Sequence, residues 1–226
     1  MNKIFTTVER SNERLSDSRT EVEGLTRLVK ASLFKDDDTG VHTSRVAFMS
    51  IELARLVGVD DSLMLPIFYA SALHDVGKIA IPDSVLKKKG QLTPSEWSVM
   101  RQHSQKGSDF FGETGSDISK ACYNVSLYHH ENYDGSGYPQ GLKGKDIPLE
   151  ARIVSIIDVY DALTMDRCYR PAHTHTDAIK IITCDMESKF DPHILNVFLK
   201  HAENFKHIRE IIERNGPIDS LYNYYG

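Results

Sequence analysis

Apolar residues recur at three- and four-residue intervals along most of this chain, a pattern that is typical of amphipathic helices. The intervals predict helices over about residues 4–34, 46–57, 62–76, 117–131, 147–164, 176–187, 192–204 and 205–215. A capping box from Thr93 to Glu96 predicts one more helix, which carries Trp97, Met100 and His103. Strand-like alternation is absent, so the sequence predicts an all-α fold.

Two of the predicted helices have unusual polarity. Residues 62–76 are apolar nearly all round, which indicates a buried helix. Residues 4–34 are polar up to Arg19 and amphipathic afterwards, so we expect a projecting helix or one that pairs with a second copy of the chain. A frayed tail is the alternative. We therefore divide the chain into an N-terminal helical extension, residues 1–34, and a domain over residues 35–226.

Composition narrows the class of protein. The chain has 226 residues, 40% of them hydrophobic, and its formal net charge of −5 disfavours broad binding to DNA or RNA. No apolar run approaches the roughly 20 residues of a membrane span, and the N-terminus lacks the apolar centre of a secretory signal, so we expect a cytoplasmic protein. Three cysteines without CxxC spacing argue against a disulfide framework and a thiolate zinc site.

Adjacent His74 and Asp75 stand at the end of the predicted buried helix, before Gly77 and Lys78. Neighbouring helical residues point about 100° apart, so the pair cannot serve one face of a single metal but can straddle two. A carboxylate bridges cations roughly 3.5–4 Å apart, and Lys78 brings positive charge to the same mouth. The alternative is an ordinary helix C-terminus, capped by Gly77, with a solvated histidine and aspartate.

Other polar groups lie on predicted buried faces or at helix ends. Asp158 has apolar neighbours, where a bare carboxylate is costly, so it must be paired or bind a metal; Asp161 faces the same side and could orient a ligand. The candidate ligands are five imidazoles and two carboxylates: His42, His74, Asp75, His103, His129, His130 and Asp158. Such a set suits iron, manganese, nickel or zinc and exceeds what one metal needs. The other five histidines are predicted to lack partners and are assigned no role.

A glycine-rich run from Asn132 to Gly141 follows two of these histidines and is long enough for a lid or a binding wall; an ordinary surface connection is the alternative. The order of motifs along the chain is His42, HDVGK, His103, HHENYDGSGYP, IIDVYDALT and Arg167-Cys-Tyr-Arg170-Pro. This series resembles the HD-GYP domain, a subfamily of HD-domain metallophosphohydrolases that degrade the bacterial second messenger cyclic di-GMP. The resemblance covers about residues 35–203.

The resemblance implies a helical bundle with two or three divalent metals at its centre, under the GYP loop, which is the run from Asn132 to Gly141. The metals it implies are iron or manganese, with nickel or zinc as alternatives. It implies that the seven collected residues are metal ligands and that Asp75 and Lys78 are catalytic. The implied substrate contacts are Asp36, Lys78, Tyr138, Arg167 and Arg170. Asp38 stands where family members often have a glutamate that reaches a third metal; the alternative is that Asp36, Asp37 and Asp38 only cap the next helix.

The implied reaction is metal-dependent hydrolysis of cyclic di-GMP to pGpG, GMP or both. One alternative is a phosphodiesterase for another cyclic dinucleotide, such as 3',3'-cyclic GMP-AMP. Another is a catalytically weak cyclic-dinucleotide receptor or docking module, against which the intact ligand set argues. The expected partners are the substrate, a second copy of the chain at the N-terminal helix and a signalling protein at the GYP loop, with neither DNA nor membrane.

Overall fold

The computed structural model describes residues 19–35, 40–113, 115–166 and 171–216. Its α-helices are α1 (Arg19–Ser32), α2 (Gly40–Leu56), α3 (Met64–Ala72), α4 (Asp83–Leu86), α5 (Pro94–Met100), α6 (Gln102–Asp109), α7 (Asp117–Tyr128), α8 (Leu149–Thr164), α9 (His175–Asp185), α10 (Pro192–Lys200) and α11 (Ala202–Asn215). Short 3-10 helices occupy Asp61–Leu63, Val76–Ala80, Gly144–Asp146 and Glu187–Lys189. These described ranges contain no strand, which confirms the all-α prediction.

Helix α2 is the central element of the fold. Every residue from His42 to Ala54 except Thr43 is buried, because α3, α8 and α11 pack around this helix. The helix begins at Gly40, earlier than predicted, so His42 lies within its first turn and not ahead of it. Polar residues in that turn face inward, and they interrupt the apolar periodicity from which the start was predicted.

Helix α3 is buried along its whole length, as its uniform apolar character predicts, and it packs against α2 and α7. It ends at Ala72, so His74 and Asp75 lie in the turn that follows and not on the helix. The prediction that His74 and Asp75 point about 100° apart on a continuous helix is therefore wrong. Buried Leu73 and Val76 extend the apolar run through this turn, which hid the helix end from periodicity.

The helix predicted from the capping box is two helices that meet at Arg101. The capping box itself is confirmed: Thr93 Oγ1 accepts from the Glu96 N–H, and the Glu96 carboxylate accepts from the Thr93 N–H. At the junction the Met100 carbonyl accepts from Nδ1 of His103, 2.7 Å away. The break thus turns His103 inward, whereas Trp97 stays about half exposed.

Helix α1 packs against the domain. Val29 is buried, and Thr26 Oγ1 lies 3.0 Å from the hydroxyl of Tyr69 on α3. The more polar half of the predicted N-terminal helix, residues 4–18, lies outside the described residues. Among the helices that the structure describes, none is both long and apolar enough to cross a membrane.

The later helices follow the predicted order. Helix α8 begins at Leu149, and α9 runs close to its predicted bounds. Helices α10 and α11 meet at His201, a few residues before the predicted boundary. They complete the core through Phe198 and Phe205, whose rings stack at 4.8 Å.

Candidate metal centre

The fold brings the seven candidate ligands together from helices and turns that are distant in sequence. One set, named the α7 group, contains Asp75, His103, His129 and His130. The second set, named the α2 group, contains His42, His74 and Asp158. Within each group, one ligand atom per residue lies within 4.8 Å of all the others. Of the other predicted site residues, four lie outside the described residues: Asp36, Asp38, Arg167 and Arg170.

Asp75 connects the two groups. Its Oδ2 lies 3.3 Å from Nε2 of His74, in the α2 group. Its Oδ1 lies 3.3 Å from Nε2 of His103 and 3.8 Å from Nε2 of His129, in the α7 group. Each carboxylate oxygen therefore faces a different group, which is the arrangement that a bridging ligand requires.

Backbone carbonyls near helix ends orient three of the histidines. In each case Nδ1 donates to a carbonyl three or four residues earlier: His74 to Ser71 at 2.7 Å, His103 to Met100 at 2.7 Å and His129 to Val125 at 2.8 Å. A carbonyl oxygen only accepts, so Nδ1 carries the hydrogen in all three rings. The lone pair of each Nε2 is thereby left for the centre of the site.

A buried ion pair orients His42. Its Nδ1 lies 2.7 Å from Asp161, whose carboxylate also accepts from Nε and Nη2 of Arg45 at 2.6 and 2.8 Å. The orienting role predicted for Asp161 thus has a specific partner. The sequence analysis missed Arg45. An arginine on the apolar face of a core helix was the available signal, since such a residue needs a buried carboxylate.

The polar atoms of the site fit a bound cation. Nε2 of His103 and Nε2 of His129 lie 3.4 Å apart, and both present lone pairs. Nε2 of His74 and Oδ1 of Asp75 are buried and have no hydrogen-bond partner among the described residues. Leaving such acceptors unpaired is costly, and a divalent cation with nitrogen and oxygen ligands satisfies them together.

The pKa values of the site histidines shift in different directions. Burial lowers the pKa of His103 and His129, and it lowers the pKa of His130 to about 4, so these rings stay neutral and able to bind a metal. Burial also disfavours the charged form of His74, yet Asp75 and Asp158 raise its pKa well above the ordinary value. The field around His74 therefore favours positive charge.

The GYP loop forms a fixed wall beside the α7 group. The Tyr138 ring stacks on His130, with centroids 4.7 Å apart. The buried Glu131 carboxylate accepts from the N–H groups of Gln140, Gly141 and Leu142 at 2.7–3.1 Å. Glu131 was not among the site residues predicted from the sequence. Its position between the histidine pair and a glycine-rich loop with many backbone donors could have indicated this role.

Lys78 lies at the edge of the site, with Nζ 2.8 Å from Oδ2 of Asp75. A pocket that reaches His42, His74 and Asp75 is lined by Lys78 and, from the end of α1, by Ser32 and Leu33. The position of Lys78 matches the sequence prediction that its charge reaches the same mouth.

One histidine outside the site differs from its prediction. His175 was expected to lack partners, but its Nδ1 lies 2.9 Å from the Tyr160 hydroxyl and its Nε2 lies 3.4 Å from Glu203. These contacts join α8, α9 and α11. They were missed because the three helices are separated in sequence.

Comparisons with known proteins identify relatives that match most of this chain. Over 201 residues the chain is 38% identical to the cyclic di-GMP phosphodiesterase response regulator RpfG of Xanthomonas campestris. That alignment covers 87% of this chain and 53% of that protein. The chain is 36% identical over 209 residues to the 3'3'-cGAMP-specific phosphodiesterase 2 of Vibrio cholerae, in an alignment that covers 92% of this chain and 40% of that protein. The chain thus spans about half the length of these curated relatives or less.

A solved structure and a family match complete the comparison. The HDG"Y"P protein Bd1817 of Bdellovibrio bacteriovorus superposes with a TM-score of 0.55 at 21% identity, over 76% of this chain and 51% of that one, and shares the fold. Residues 27–194 match the HD domain family. The similarity to HD-GYP proteins seen in the motifs is confirmed, and the chain belongs to the HD domain family.

Proposed function

We propose that this chain is a metal-dependent phosphodiesterase that hydrolyses cyclic di-GMP to pGpG, GMP or both. The observation that carries the proposal is the position of Asp75, whose two oxygens face two separate groups of imidazoles. The names of relatives such as the response regulator RpfG supply the substrate class.

Two divalent cations would be held by the α7 group and the α2 group, with Asp75 shared. Cations in these positions supply Lewis-acid stabilisation of phosphoryl oxygens and a nucleophilic water at neutral pH. The chain's own residues keep the ligands ready: the carbonyls behind His74, His103 and His129 fix the correct tautomers. We expect iron or manganese, and nickel or zinc as alternatives.

Two side chains at the mouth are assigned to the substrate. Lys78 Nζ, held by Asp75, is placed to bind a non-bridging phosphoryl oxygen as negative charge develops there. Burial raises the pKa of the Tyr138 phenol, so its hydroxyl stays protonated at neutral pH and can donate to a phosphate oxygen. Asp36, Arg167 and Arg170 keep the substrate contacts that the family resemblance implies.

The test is a product analysis with defined metal. Protein prepared without oxygen and loaded with Fe(II) or Mn(II) is incubated with cyclic di-GMP, 3',3'-cyclic GMP-AMP and cyclic di-AMP, and the products are separated by chromatography. We expect pGpG, GMP or both from cyclic di-GMP. Tight binding without turnover, at full metal occupancy, would identify a receptor or docking module and contradict the proposal.

A second candidate substrate is 3',3'-cyclic GMP-AMP. The observation in its favour is the 36% identity to a Vibrio cholerae protein named as specific for it, over 92% of this chain. The two substrates share phosphates and differ in one base, so the metal groups treat them alike. The ratio of their kcat/KM values, measured with the same enzyme preparation, distinguishes the two candidates.

Assembly remains a prediction of the sequence. On the basis of the sequence, we propose a homodimer through the N-terminal helix, a signalling partner at the GYP loop and a cytoplasmic location. The division into residues 1–34 and 35–226 is also a prediction. On α1, Val29 is buried in the core, and Val22, Leu25 and Leu28 pack against it.

A further inference from the structure

Arg101 is an exposed cation beside the GYP loop. It occupies the junction between α5 and α6, two residues before His103. Its Cζ lies 5.0 Å from the centroid of the Tyr138 ring, and that ring stacks at 4.7 Å on His130 of the α7 group. Two consecutive ring contacts therefore connect the Arg101 guanidinium to the metal centre.

The guanidinium of Arg101 differs from the ammonium group of Lys78 in its partners. Lys78 is paired with Asp75, whereas in the part of the chain that the structure describes no carboxylate lies within ion-pair distance of Arg101. A cation–π contact fixes the position of a guanidinium but leaves its N–H donors available. The planar N–H donors of Arg101 thus lie next to the site and are available to a ligand.

The proposed substrate contains a group that needs such donors. A cyclic dinucleotide has two phosphodiesters, and only one can lie at the metal groups while it is cleaved. The other carries a full negative charge outside them. A guanidinium recognises phosphate oxygens with charge-assisted hydrogen bonds, which are stronger than neutral ones.

We propose that Arg101 binds the second phosphodiester, the one that is not being cleaved, and that Tyr138 positions the guanidinium for this contact. The inference rests on the proposed function, because it needs a substrate with two phosphodiesters. The competing ligand is the O6 and N7 edge of a guanine, which arginine also recognises. The experiment below separates the two.

The test compares ligands that differ in the second phosphate. Hydrolysis of bis(p-nitrophenyl) phosphate, a single phosphodiester without bases, reports the metal centre alone. Cyclic di-GMP and linear GpG, which has two guanines but one phosphodiester, are added as competitors of that reaction. For Arg101→Gln we expect inhibition by cyclic di-GMP to weaken about tenfold, while inhibition by GpG and turnover of the reporter stay unchanged.

Two control variants accompany it. Lys180→Gln removes the same charge from an exposed position on α9 and should change neither inhibition. Arg101→Lys keeps the charge without the planar donor set and should lose part of the affinity for cyclic di-GMP. Metal content is measured for every variant by elemental analysis.

Each other outcome overturns the assignment. Equal weakening for GpG and cyclic di-GMP would identify a guanine contact. Loss of metal or of reporter turnover in Arg101→Gln would show that Arg101 acts through Tyr138 and His130. Unchanged inhibition would exclude any contact. A wild type that cleaves the reporter but no cyclic dinucleotide would refute the proposed function itself, and this inference with it.

Discussion

The α7 group and the α2 group hold their histidines in different ways. In the α7 group, His103 and His129 donate Nδ1 to backbone carbonyls, which no side-chain substitution removes. In the α2 group, His74 also donates Nδ1 to a backbone carbonyl, but His42 depends on Asp161, and Asp161 depends on Arg45. Backbone carbonyls thus orient these two histidines of the α7 group, whereas one histidine of the α2 group relies on two buried charges.

This difference has electrostatic consequences. Burial lowers the pKa of His103 and His129 in the α7 group, so these imidazoles can bind a metal without losing a proton. In the α2 group, Asp75 and Asp158 raise the pKa of His74, and Asp161 holds the ring of His42. We infer that substitutions behind the ligands can weaken the α2 group separately, while loss of the shared ligand affects both groups.

The largest effect is expected for Asp75→Ala, because it removes the one ligand that both groups share. We expect metal content to fall and hydrolysis to decrease by about a thousandfold or more. The control is Asp83→Ala, which removes an exposed carboxylate nearby that pairs with Lys35. Full turnover by the Asp75 variant at matched metal loading would show that the two groups do not act as one site.

Lys78→Ala removes charge at the mouth without removing a ligand. We expect both groups to keep their metal, and kcat/KM for the cyclic dinucleotide to fall by about 100-fold, as for other groups that stabilise transition-state charge. Lys89→Ala, at an exposed position in the same region, serves as the control. Elemental analysis beside the kinetics decides the point: metal loss in the folded Lys78 variant would place this lysine in the support of the ligands.

Asp161→Asn tests the separate vulnerability of the α2 group. Breaking the buried pair with Arg45 should lower the free energy of unfolding by about 3–5 kcal/mol. Metal affinity of this group should fall by about 10–100-fold while the α7 group keeps its metal. Stability is measured by denaturant unfolding and affinity by metal titration.

A double variant separates stability from metal binding. Replacing the pair with apolar residues, Arg45→Met with Asp161→Leu, should restore most of the stability without restoring metal affinity. Recovery of both quantities would mean that Asp161 contributes to folding alone and does not orient His42.

The smallest effect is expected for Asp38→Ala, which tests a metal beyond the two groups. If Asp38 reaches a third metal, metal-saturated protein should contain three metals per chain in the wild type and two in the variant. Asp37→Ala is the matched control. Two metals in both proteins, with metal in excess, would leave only the helix-capping interpretation of these aspartates.

The sequence predicted which polar residues come together better than it predicted their local geometry. The clustering of the seven candidate ligands followed from residue types and their order, and their role as metal ligands stays a prediction. The turn that carries His74 did not follow from the sequence, because its buried Leu73 and Val76 continue the apolar pattern of the helix. The break at Arg101 did not either, because it lies in an exposed stretch without a Pro or Gly to mark it. Arg45 and Glu131 were missed since each acts through a partner that only the tertiary fold brings near.

Within the HDVGK motif, Gly77 serves the packing of the fold and not the proposed reaction. A Cβ at this position would lie 1.9 Å from the His103 carbonyl oxygen and 2.4 Å from the Gly107 nitrogen, so two backbones touch there. Close packing of the ligand-bearing turn on α6 requires the glycine, and the reaction does not. When related chains are classified, a retained glycine therefore indicates the fold, and only the histidines and aspartates around it indicate whether the chain can hydrolyse a phosphodiester.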